Sequence, residues 1–254
     1  MTDDAGAATL SRGRLNWQRA GVLAVRAETA RVSRLVLDIP QWPGHLPGQH
    51  LDVRLTAPDG YTAQRSYSIA SGPEHPALEL LVEALADGEV SPYLTGELRA
   101  GDELEVRGPV GGWFVWRSSQ PDPLQLIAGG SGVVPFLAML DHHRAIDSVV
   151  PVRLLYSARA LDDVLAREQL AAPEAGVEVT LALTRAAPPG WTGPTGRVDR
   201  QVLRGHTLAP EAAPQVFVCG PTGFVEAVAD ALIDLGHPPE RIRTERFGGA
   251  GDSS

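Results

Sequence analysis

The spacing of apolar residues changes about halfway along this 254-residue chain, and that change limits the folds that it can adopt. In the upstream half, short apolar runs are separated by Pro-Gly, Asp-Gly and Gly-Asp pairs, which favour turns. The runs that read as strands are residues 21–28, 33–39, 50–55, 65–71, 78–85 and 102–108. Short strands at this spacing predict a closed antiparallel β-barrel.

The downstream half alternates apolar runs with helical patterns. The apolar runs are residues 124–128, 152–157, 177–184 and 215–219, and the helical stretches are 136–145, 162–172 and 223–236. Strands that alternate with helices predict a parallel sheet with helices on both faces. A polar, proline-containing link at 117–123 separates the halves, so we predict domains at 14–117 and 124–248.

Composition narrows the class of protein. Hydrophobic residues make up 43% of the chain and charged residues 21%, as in soluble globular proteins. The net charge of −9 argues against nucleic acid as a partner, and no apolar run is long enough to span a membrane. The N-terminus does not resemble a signal peptide, so we expect a cytoplasmic protein. Cys219 is the only cysteine, which excludes an intrachain disulfide and a cysteine-ligated iron–sulfur or zinc site.

The segment Arg65-Ser66-Tyr67-Ser68 suits a strand that holds a flavin at its end. The Arg65 guanidinium can bind a phosphate bidentately, because it presents its N–H donors as a fork. The Tyr67 ring offers a flat stacking surface, and the Ser68 hydroxyl a hydrogen bond to a ring nitrogen. The alternative is an ordinary edge strand with an arginine on the surface.

Residues 86–94 read as a loop that leads into a short helix. Pro92 suits the first helical position, where free backbone N–H groups can bind an anion. The alternative is a plain helix cap provided by Ser91.

Residues 129–135 form a glycine-rich connection between a predicted strand and a predicted helix. We expect Gly130 and Gly132 to allow a tight turn that approaches a diphosphate, with Pro135 starting the helix. The segment lacks the third glycine of a Rossmann fingerprint.

Two arginines follow strands of the predicted parallel sheet. Arg159 follows the second strand, and Thr184-Arg185 the third. Arginine suits the 2′-phosphate of NADPH, whereas the ribose hydroxyls of NADH favour a carboxylate. Asp162 and Asp163 are expected to cap the next helix instead. We therefore favour NADPH and leave NADH open.

Arg65-x-Tyr67-Ser68 and the segments downstream of it resemble, in order, the motifs of the ferredoxin–NADP reductase superfamily, from about Trp17 to Phe247. The resemblance implies a two-domain fold, with an N-terminal flavin-binding antiparallel β-barrel and a C-terminal α/β parallel-sheet nucleotide-binding domain. It implies FAD as cofactor, although FMN occurs with the same motif. The residues expected to bind the cofactors are Arg65, Tyr67, Ser68, Val90, Ser91, Phe247, Gly130, Gly132, Val134, Arg159, Thr184, Arg185, Gly220 and Pro221.

The same resemblance implies roles for particular residues. Val90 and Ser91 would contact the flavin pyrophosphate, and Phe247 would cover the flavin face opposite Tyr67. Many members have threonine where this chain has Val134, which cannot donate a hydrogen bond. A Phe247 packed in the core of a final edge strand is the alternative.

The residues expected near the reacting atoms are Cys219, Glu245 and Ser68. In the resembled family, the Cys219 position packs against the nicotinamide, so we expect it to position the ring and not to attack as a nucleophile. A buried structural cysteine is the alternative.

The expected reaction is hydride transfer from NADPH to FAD, followed by single-electron transfer to a separate ferredoxin-like iron–sulfur protein or oxygenase component. A flavin or metal-chelate reductase, or an FAD-binding electron-transfer subunit of a larger complex, remains an alternative. We expect a monomer. The proposed docking site for an acidic acceptor comprises Arg12, Arg14, Arg19, Arg26, Arg31 and Arg34. Arg26 is favoured over Arg31 within it, and an evenly solvated surface is the alternative.

Overall fold

The computed structural model describes residues 15–247, which form two β-sheets. The first sheet is antiparallel and lies upstream of residue 111, and the second is parallel and lies downstream of residue 123. No helix in the described part of the chain has the length and apolar character needed to cross a membrane.

The antiparallel sheet has the strand order β4-β3-β6-β1-β2-β5. Its strands are β1 (Gln18–Ala27), β2 (Val32–Asp38), β3 (His50–Thr56), β4 (Thr62–Ser68), β5 (Leu78–Glu83) and β6 (Glu103–Val110). The sheet closes where Ile69, just after β4, bridges to Leu80 of β5. The predicted antiparallel barrel is therefore confirmed.

Alternation along these strands directs one set of side chains into the barrel, as period-two geometry requires. Leu35 and Leu37 of β2 and Leu51 of β3 are fully buried there. A short helix, α1 (Ser91–Gly96), packs its Leu94 into the same core. The barrel interior is thus filled by side chains, and any cofactor must bind outside it.

The parallel sheet has the strand order β11-β10-β7-β8-β9. Its strands are β7 (Leu124–Gly129), β8 (Val152–Ala160), β9 (Val177–Ala186), β10 (Gln215–Pro221) and β11 (Ile242–Phe247). The helices are α2 (Val134–Ala145), α3 (Arg167–Ala171), α4 (Arg200–His206) and α5 (Thr222–Asp234). Separate apolar clusters cover the two faces of the sheet, so the predicted α/β domain is confirmed.

The helix predicted over residues 162–172 is shorter in the structure. Leu161–Asp163 form a single 3₁₀ turn, and the Asp163 carboxylate accepts a hydrogen bond from the Ala160 N–H at 3.1 Å. Ala166 then adopts a left-handed conformation with φ +50°, which interrupts the helix before α3. Asp163 therefore caps the 3₁₀ turn and not the helix.

The two domains share an apolar core. Phe114 and Trp116, which follow the last barrel strand, are buried among the side chains of the parallel-sheet domain. The ring centroid of Phe114 lies 5.2 Å from that of Phe217 and 5.8 Å from that of Phe136. A polar contact adds to this packing, because the Glu28 carboxylate accepts a hydrogen bond from the Ala166 N–H at 2.7 Å. The junction therefore fixes the barrel against the parallel sheet.

Gly48 lies at a point of this junction where the chain is packed closely. It has φ +95°, and a Cβ there would lie 2.1 Å from the carbonyl oxygen of Phe114 and 2.8 Å from the Met139 methyl group. Gly60 has a similar φ of +89°, but a Cβ there would meet nothing within 4 Å. We expect Gly60→Ala to cost about 1–2 kcal/mol of stability through backbone strain alone.

Gly48→Ala should cost about 2–3 kcal/mol more than Gly60→Ala, because it adds overpacking to the same strain. The expected difference in Tm is about 5–10 °C by thermal unfolding for a chain of this size. Equal Tm values for the two variants would contradict the close packing between Gly48 and Phe114.

Candidate active site at the domain junction

A row of four residues crosses the junction and links the two sheets. Ser68, the last residue of β4, pairs with His50, the first residue of β3. Cys219 of β10 pairs with Glu245 of β11. Between the domains, the His50 Nδ1 lies 3.9 Å from the Glu245 Oε1. The structure thus brings together Ser68, Glu245 and Cys219, and it adds His50.

His50 was not predicted as a site residue. The histidines lack metal-ligand spacing in the sequence, and only the pairing of β3 with β4 sets His50 beside Ser68. The available signal was its place at the start of a predicted strand, next to the strand that carries Arg65 and Ser68.

Burial alters the acid–base properties of the row. It raises the pKa of Glu245 to about 7, and within the described part of the chain the Glu245 Oε2 is buried without a hydrogen-bond partner. Burial also lowers the pKa of His50, although the Asp52 charge opposes this effect. The raised pKa of Glu245 favours its protonated carboxyl, and the lowered pKa of His50 favours its neutral imidazole, so desolvation at the junction favours the uncharged form of both groups.

Cys219 is 2% exposed, and burial followed by the Glu245 charge raises the pKa of its thiol well above the ordinary value. A protonated, enclosed thiol is a poor nucleophile. This environment agrees with the expectation that Cys219 does not attack a substrate.

Gly130 and Gly132 of the strand–helix turn are glycines for different structural reasons. Gly130 has φ +56°, which gives the tight turn expected there. A Cβ at Gly132 would lie 2.2 Å from the Cys219 carbonyl oxygen and 2.8 Å from the Gly220 nitrogen. The missing side chain of Gly132 therefore allows the turn to pack directly on the backbone of β10.

Arg65 lies beside the loop that precedes α1. Its guanidinium donates to the Glu89 carboxylate at 2.8 Å, and the Tyr61 hydroxyl donates to the same carboxylate at 2.6 Å. Val90 and Ser91 follow Glu89 directly. The structure thus brings the Arg65 motif and the 86–94 segment together through the Glu89 carboxylate.

Ser91 and Val90 have side chains directed away from any ligand. The Ser91 Oγ accepts a hydrogen bond from the Leu85 N–H at 3.2 Å, and α1 begins at Ser91 without a side-chain cap. The alternative reading of Ser91 as a plain helix cap is therefore wrong. Val90 is fully buried in the barrel core, so only the backbone of either residue can face a ligand.

Tyr67 is half-buried against the barrel core, next to Ser68. Burial raises the pKa of the Tyr67 phenol to about 12, although the charge of Arg65 opposes the shift. The ring is therefore neutral over the physiological range and offers an apolar face.

A cleft of about 210 Å³ runs along the carboxyl edge of the parallel sheet, with walls from both domains. Predicted site residues that line it are Gly130, Arg159, Thr184, Pro221 and Phe247. The Thr184 hydroxyl donates to the Ala158 carbonyl oxygen at 3.2 Å. The carboxyl edge of a parallel sheet is where open α/β domains bind nucleotides.

Other predicted residues lie next to the cleft and do not line it. Arg185 is exposed at the end of β9, and Val134 is buried in the core beneath the glycine turn. Gly220 packs against Phe224, because a Cβ there would lie 2.8 Å from the Phe224 ring. Phe247 is partly buried on β11, an edge strand, and it also lines the cleft. Packing against the core of the edge strand therefore leaves part of its side chain available to a cofactor.

The barrel domain contributes Arg31 to the cleft, where it pairs with Glu83 at 2.9 Å. Arg31 belongs to the arginine cluster predicted to dock an acceptor. Arg19 pairs with Glu103 at 2.5 Å, and Arg34 pairs with both Glu28 and Glu79.

Within residues 15–247, Arg26 is the one arginine of that cluster without an ion pair. Arg12 and Arg14 lie outside the described residues. The structure therefore does not support the cluster as a single free basic face.

Two family matches cover most of the described chain. Residues 24–115 match the family described as "Oxidoreductase FAD-binding domain", and residues 126–230 match "Oxidoreductase NAD-binding domain". The first match identifies FAD as the flavin, a choice that the Arg65-x-Tyr67-Ser68 motif alone leaves open.

Individual relatives agree with these matches. The flavohemoprotein of Bordetella pertussis is 31% identical over 97% of this chain, which spans 64% of that protein's length. NADH-cytochrome b5 reductase 1 of Pyricularia oryzae is 32% identical, over 83% of this chain and 71% of its own length.

A solved structure extends the likeness to the fold. The ferredoxin reductase of carbazole 1,9a-dioxygenase is 27% identical, with a TM-score of 0.76 over 92% of this chain and 70% of its own. Sequence families, relatives and fold therefore agree. The chain belongs to the ferredoxin–NADP reductase-like family of FAD- and NAD(P)-dependent oxidoreductases.

Proposed function

We propose that this reductase oxidises NADPH and passes single electrons from FAD to a separate iron–sulfur protein or oxygenase component. The observation that supports this most is the junction itself, where the row from Ser68 to Cys219 joins the flavin-binding domain to the parallel sheet of the nucleotide-binding domain. The likeness to the ferredoxin reductase of a dioxygenase supports the choice of acceptor.

The residues on the barrel side fit FAD. Arg65 and Tyr61 already hold one anionic group, the Glu89 carboxylate, so their donors suit a phosphate of the cofactor. The backbone of Val90 and Ser91 lies next to that carboxylate and would contact the pyrophosphate. Tyr67 and Phe247 would cover the two faces of the flavin ring.

When bound, FAD supplies the redox chemistry, accepting a hydride and releasing electrons one at a time. The protein supplies orientation. The Ser68 hydroxyl would donate a hydrogen bond to the ring, whereas the hydrocarbon side chain of Val134, which is buried, has no hydrogen-bond donor. Cys219, held against the glycine turn, would position the nicotinamide by contact, and Gly220 and Pro221 would shape the adjoining wall.

Glu245 and His50 would handle the proton that leaves the cofactor as electrons depart. The unpartnered Glu245 Oε2 can accept it, because burial makes the protonated carboxyl favourable near neutral pH. The Glu245 and His50 side chains are 29% and 24% exposed, so either group can exchange a proton with solvent.

The charges around the cleft favour NADPH over NADH. Arg159 lines it and Arg185 lies beside Thr184 at its rim, whereas Arg31, which also lines it, is paired with Glu83. The acids among the residues that line the cleft have partners of their own, since Glu83 pairs with Arg31 and Asp163 accepts a hydrogen bond from the Ala160 N–H. A cleft that presents arginines and no free carboxylate suits the 2′-phosphate of NADPH better than the ribose hydroxyls of NADH.

Steady-state assays of the purified protein test this function. We expect NADPH to reduce ferricyanide and a [2Fe–2S] ferredoxin, with FAD released on denaturation. Reduction of free flavin or ferric chelates, and not of ferredoxin, would favour the flavin or metal-chelate reductase. Oxidation of NADPH with no acceptor reduced would favour a subunit that acts only inside a complex.

Arg185 provides the test of coenzyme choice. We expect Arg185→Ala to raise the KM for NADPH about tenfold, because a charge-assisted contact worth about 1.5–3 kcal/mol is lost. The KM for NADH should stay within about twofold, since the 2′-phosphate is absent. Arg204→Ala, an exposed arginine of α4 away from the cleft, is the matched control. Equal effects of Arg185→Ala on both coenzymes would refute the assignment.

The raised pKa of Glu245 predicts that the stability of the folded chain depends on pH. Its pKa is about 7 in the folded chain against 4.5 unfolded, so its protonated form stabilises the fold at low pH, and that contribution is lost as pH rises towards 7. Between pH 5 and 8, we expect the wild type to lose on the order of 2 kcal/mol relative to Glu245→Gln.

Urea unfolding at the two pH values measures this difference. Glu226→Gln, which changes an exposed carboxylate on α5, is the control and should follow the wild type. The same pH dependence in the wild type and in Glu245→Gln would show that Glu245 does not titrate as expected.

A further inference from the structure

We propose that an acidic electron-transfer protein docks on a surface formed by Trp113, Arg117 and Arg243, here called the tryptophan–arginine face. The proposal rests on the proposed function and names the surface on which its acceptor binds. It replaces the N-terminal arginine cluster, whose Arg19, Arg31 and Arg34 are paired with carboxylates.

Trp113 is a large aromatic side chain that is both exposed and held in place. Its relative exposure is 64%, and the Arg243 guanidinium lies 5.1 Å from the centre of its ring. Arg243 also donates to the carbonyl oxygens of Trp113 and Val115 at 3.0 and 2.8 Å. An exposed tryptophan fixed in this way loses little conformational entropy on binding, and tryptophan and arginine are enriched where proteins bind most tightly.

The face adjoins the row that joins the two domains. Arg243 lies two residues before Glu245 on β11, so alternation along the strand directs both side chains to the same side. On the barrel side, Gly111, two residues before Trp113, accepts a hydrogen bond from Gln49, which precedes His50. A protein bound at Trp113 would therefore lie close to the site where the electrons leave.

The charge of the face is positive and uncompensated. Burial lowers the pKa of Arg243, and the nearby Arg117 lowers it further. Within residues 15–247 neither Arg117 nor Arg243 forms an ion pair with a carboxylate. In a protein of net charge −9, such a local positive region can steer an acidic partner to one place.

Stopped-flow reduction of acceptor proteins by NADPH-reduced holoenzyme tests the face. The probes are a [2Fe–2S] ferredoxin and the soluble domain of cytochrome b5, both acidic, with a neutral benzoquinone as small acceptor. The variants are Trp113→Ala and Arg117→Glu. Arg26→Glu makes the same charge change within the rival cluster.

We expect Arg117→Glu to lower the second-order rate constant for an acidic protein about tenfold at low salt. The deficit should shrink at 1 M salt, where the Debye length is only about 3 Å. Trp113→Ala should lower the rate constant at either salt concentration, because it removes contact area and not charge. Reduction of benzoquinone should stay within about twofold for all variants, and Arg26→Glu should match the wild type.

Two outcomes would overturn the proposal. The first is an Arg117→Glu enzyme that reduces the protein acceptors as fast as the wild type. The second is an Arg26→Glu enzyme that is slowed as much as Arg117→Glu. If the wild type reduces cytochrome b5 but not ferredoxin, and the variants respond as expected, the docking face holds and the iron–sulfur acceptor is wrong. If the wild type reduces benzoquinone and neither protein, both proposals fail.

Discussion

The apolar core that continues from the parallel sheet into the barrel is the constraint on which the site depends. Phe114 and Trp116 leave the barrel strands and pack among Phe136 and Phe217, so the two domains cannot separate without exposing large aromatic surfaces to water. The absence of a side chain at Gly48 lets the chains approach to this distance. Because the junction is fixed, strands that belong to different sheets present Ser68, His50, Glu245 and Cys219 as one row.

Burial at the junction also sets the chemistry of that row. A carboxyl group, an imidazole and a thiol are enclosed within a short span, and in each the uncharged form becomes more favourable. The result differs by residue: the Cys219 thiol stays protonated, the pKa of Glu245 rises to about 7, and the lowered pKa of His50 favours its neutral imidazole. In the proposed mechanism, the same desolvation separates the positioning residue Cys219 from Glu245, which can take up a proton near neutral pH.

Arginine carries all the basic charge, since the chain has 22 basic residues and no lysine. On the barrel, these arginines are largely neutralised across neighbouring strands, as in the pairs Arg54–Glu105 and Arg107–Asp52. Those pairs fix side chains and leave little free positive potential. Among the arginines that lack such partners within residues 15–247, Arg117 and Arg243 lie near Trp113, and Arg159 and Arg185 lie at the nucleotide cleft.

Periodicity and turn residues were enough to predict the barrel and the parallel sheet, because strand alternation and glycine turns are local properties of the sequence. The cofactor motifs were identified through their resemblance to a known family. Neither the Arg65 segment nor the 86–94 segment was decisive alone, and the order of the motifs along the chain favoured the flavin-binding interpretation. Other features could not be predicted from the sequence, because each joins residues far apart in the chain. They are the contact between His50 and Glu245, the close packing that requires glycine at position 132, the position of Arg31 in the cleft, and the ion pairs of the arginine cluster. Strand pairing and domain packing decide such distances, and a linear pattern carries no record of them.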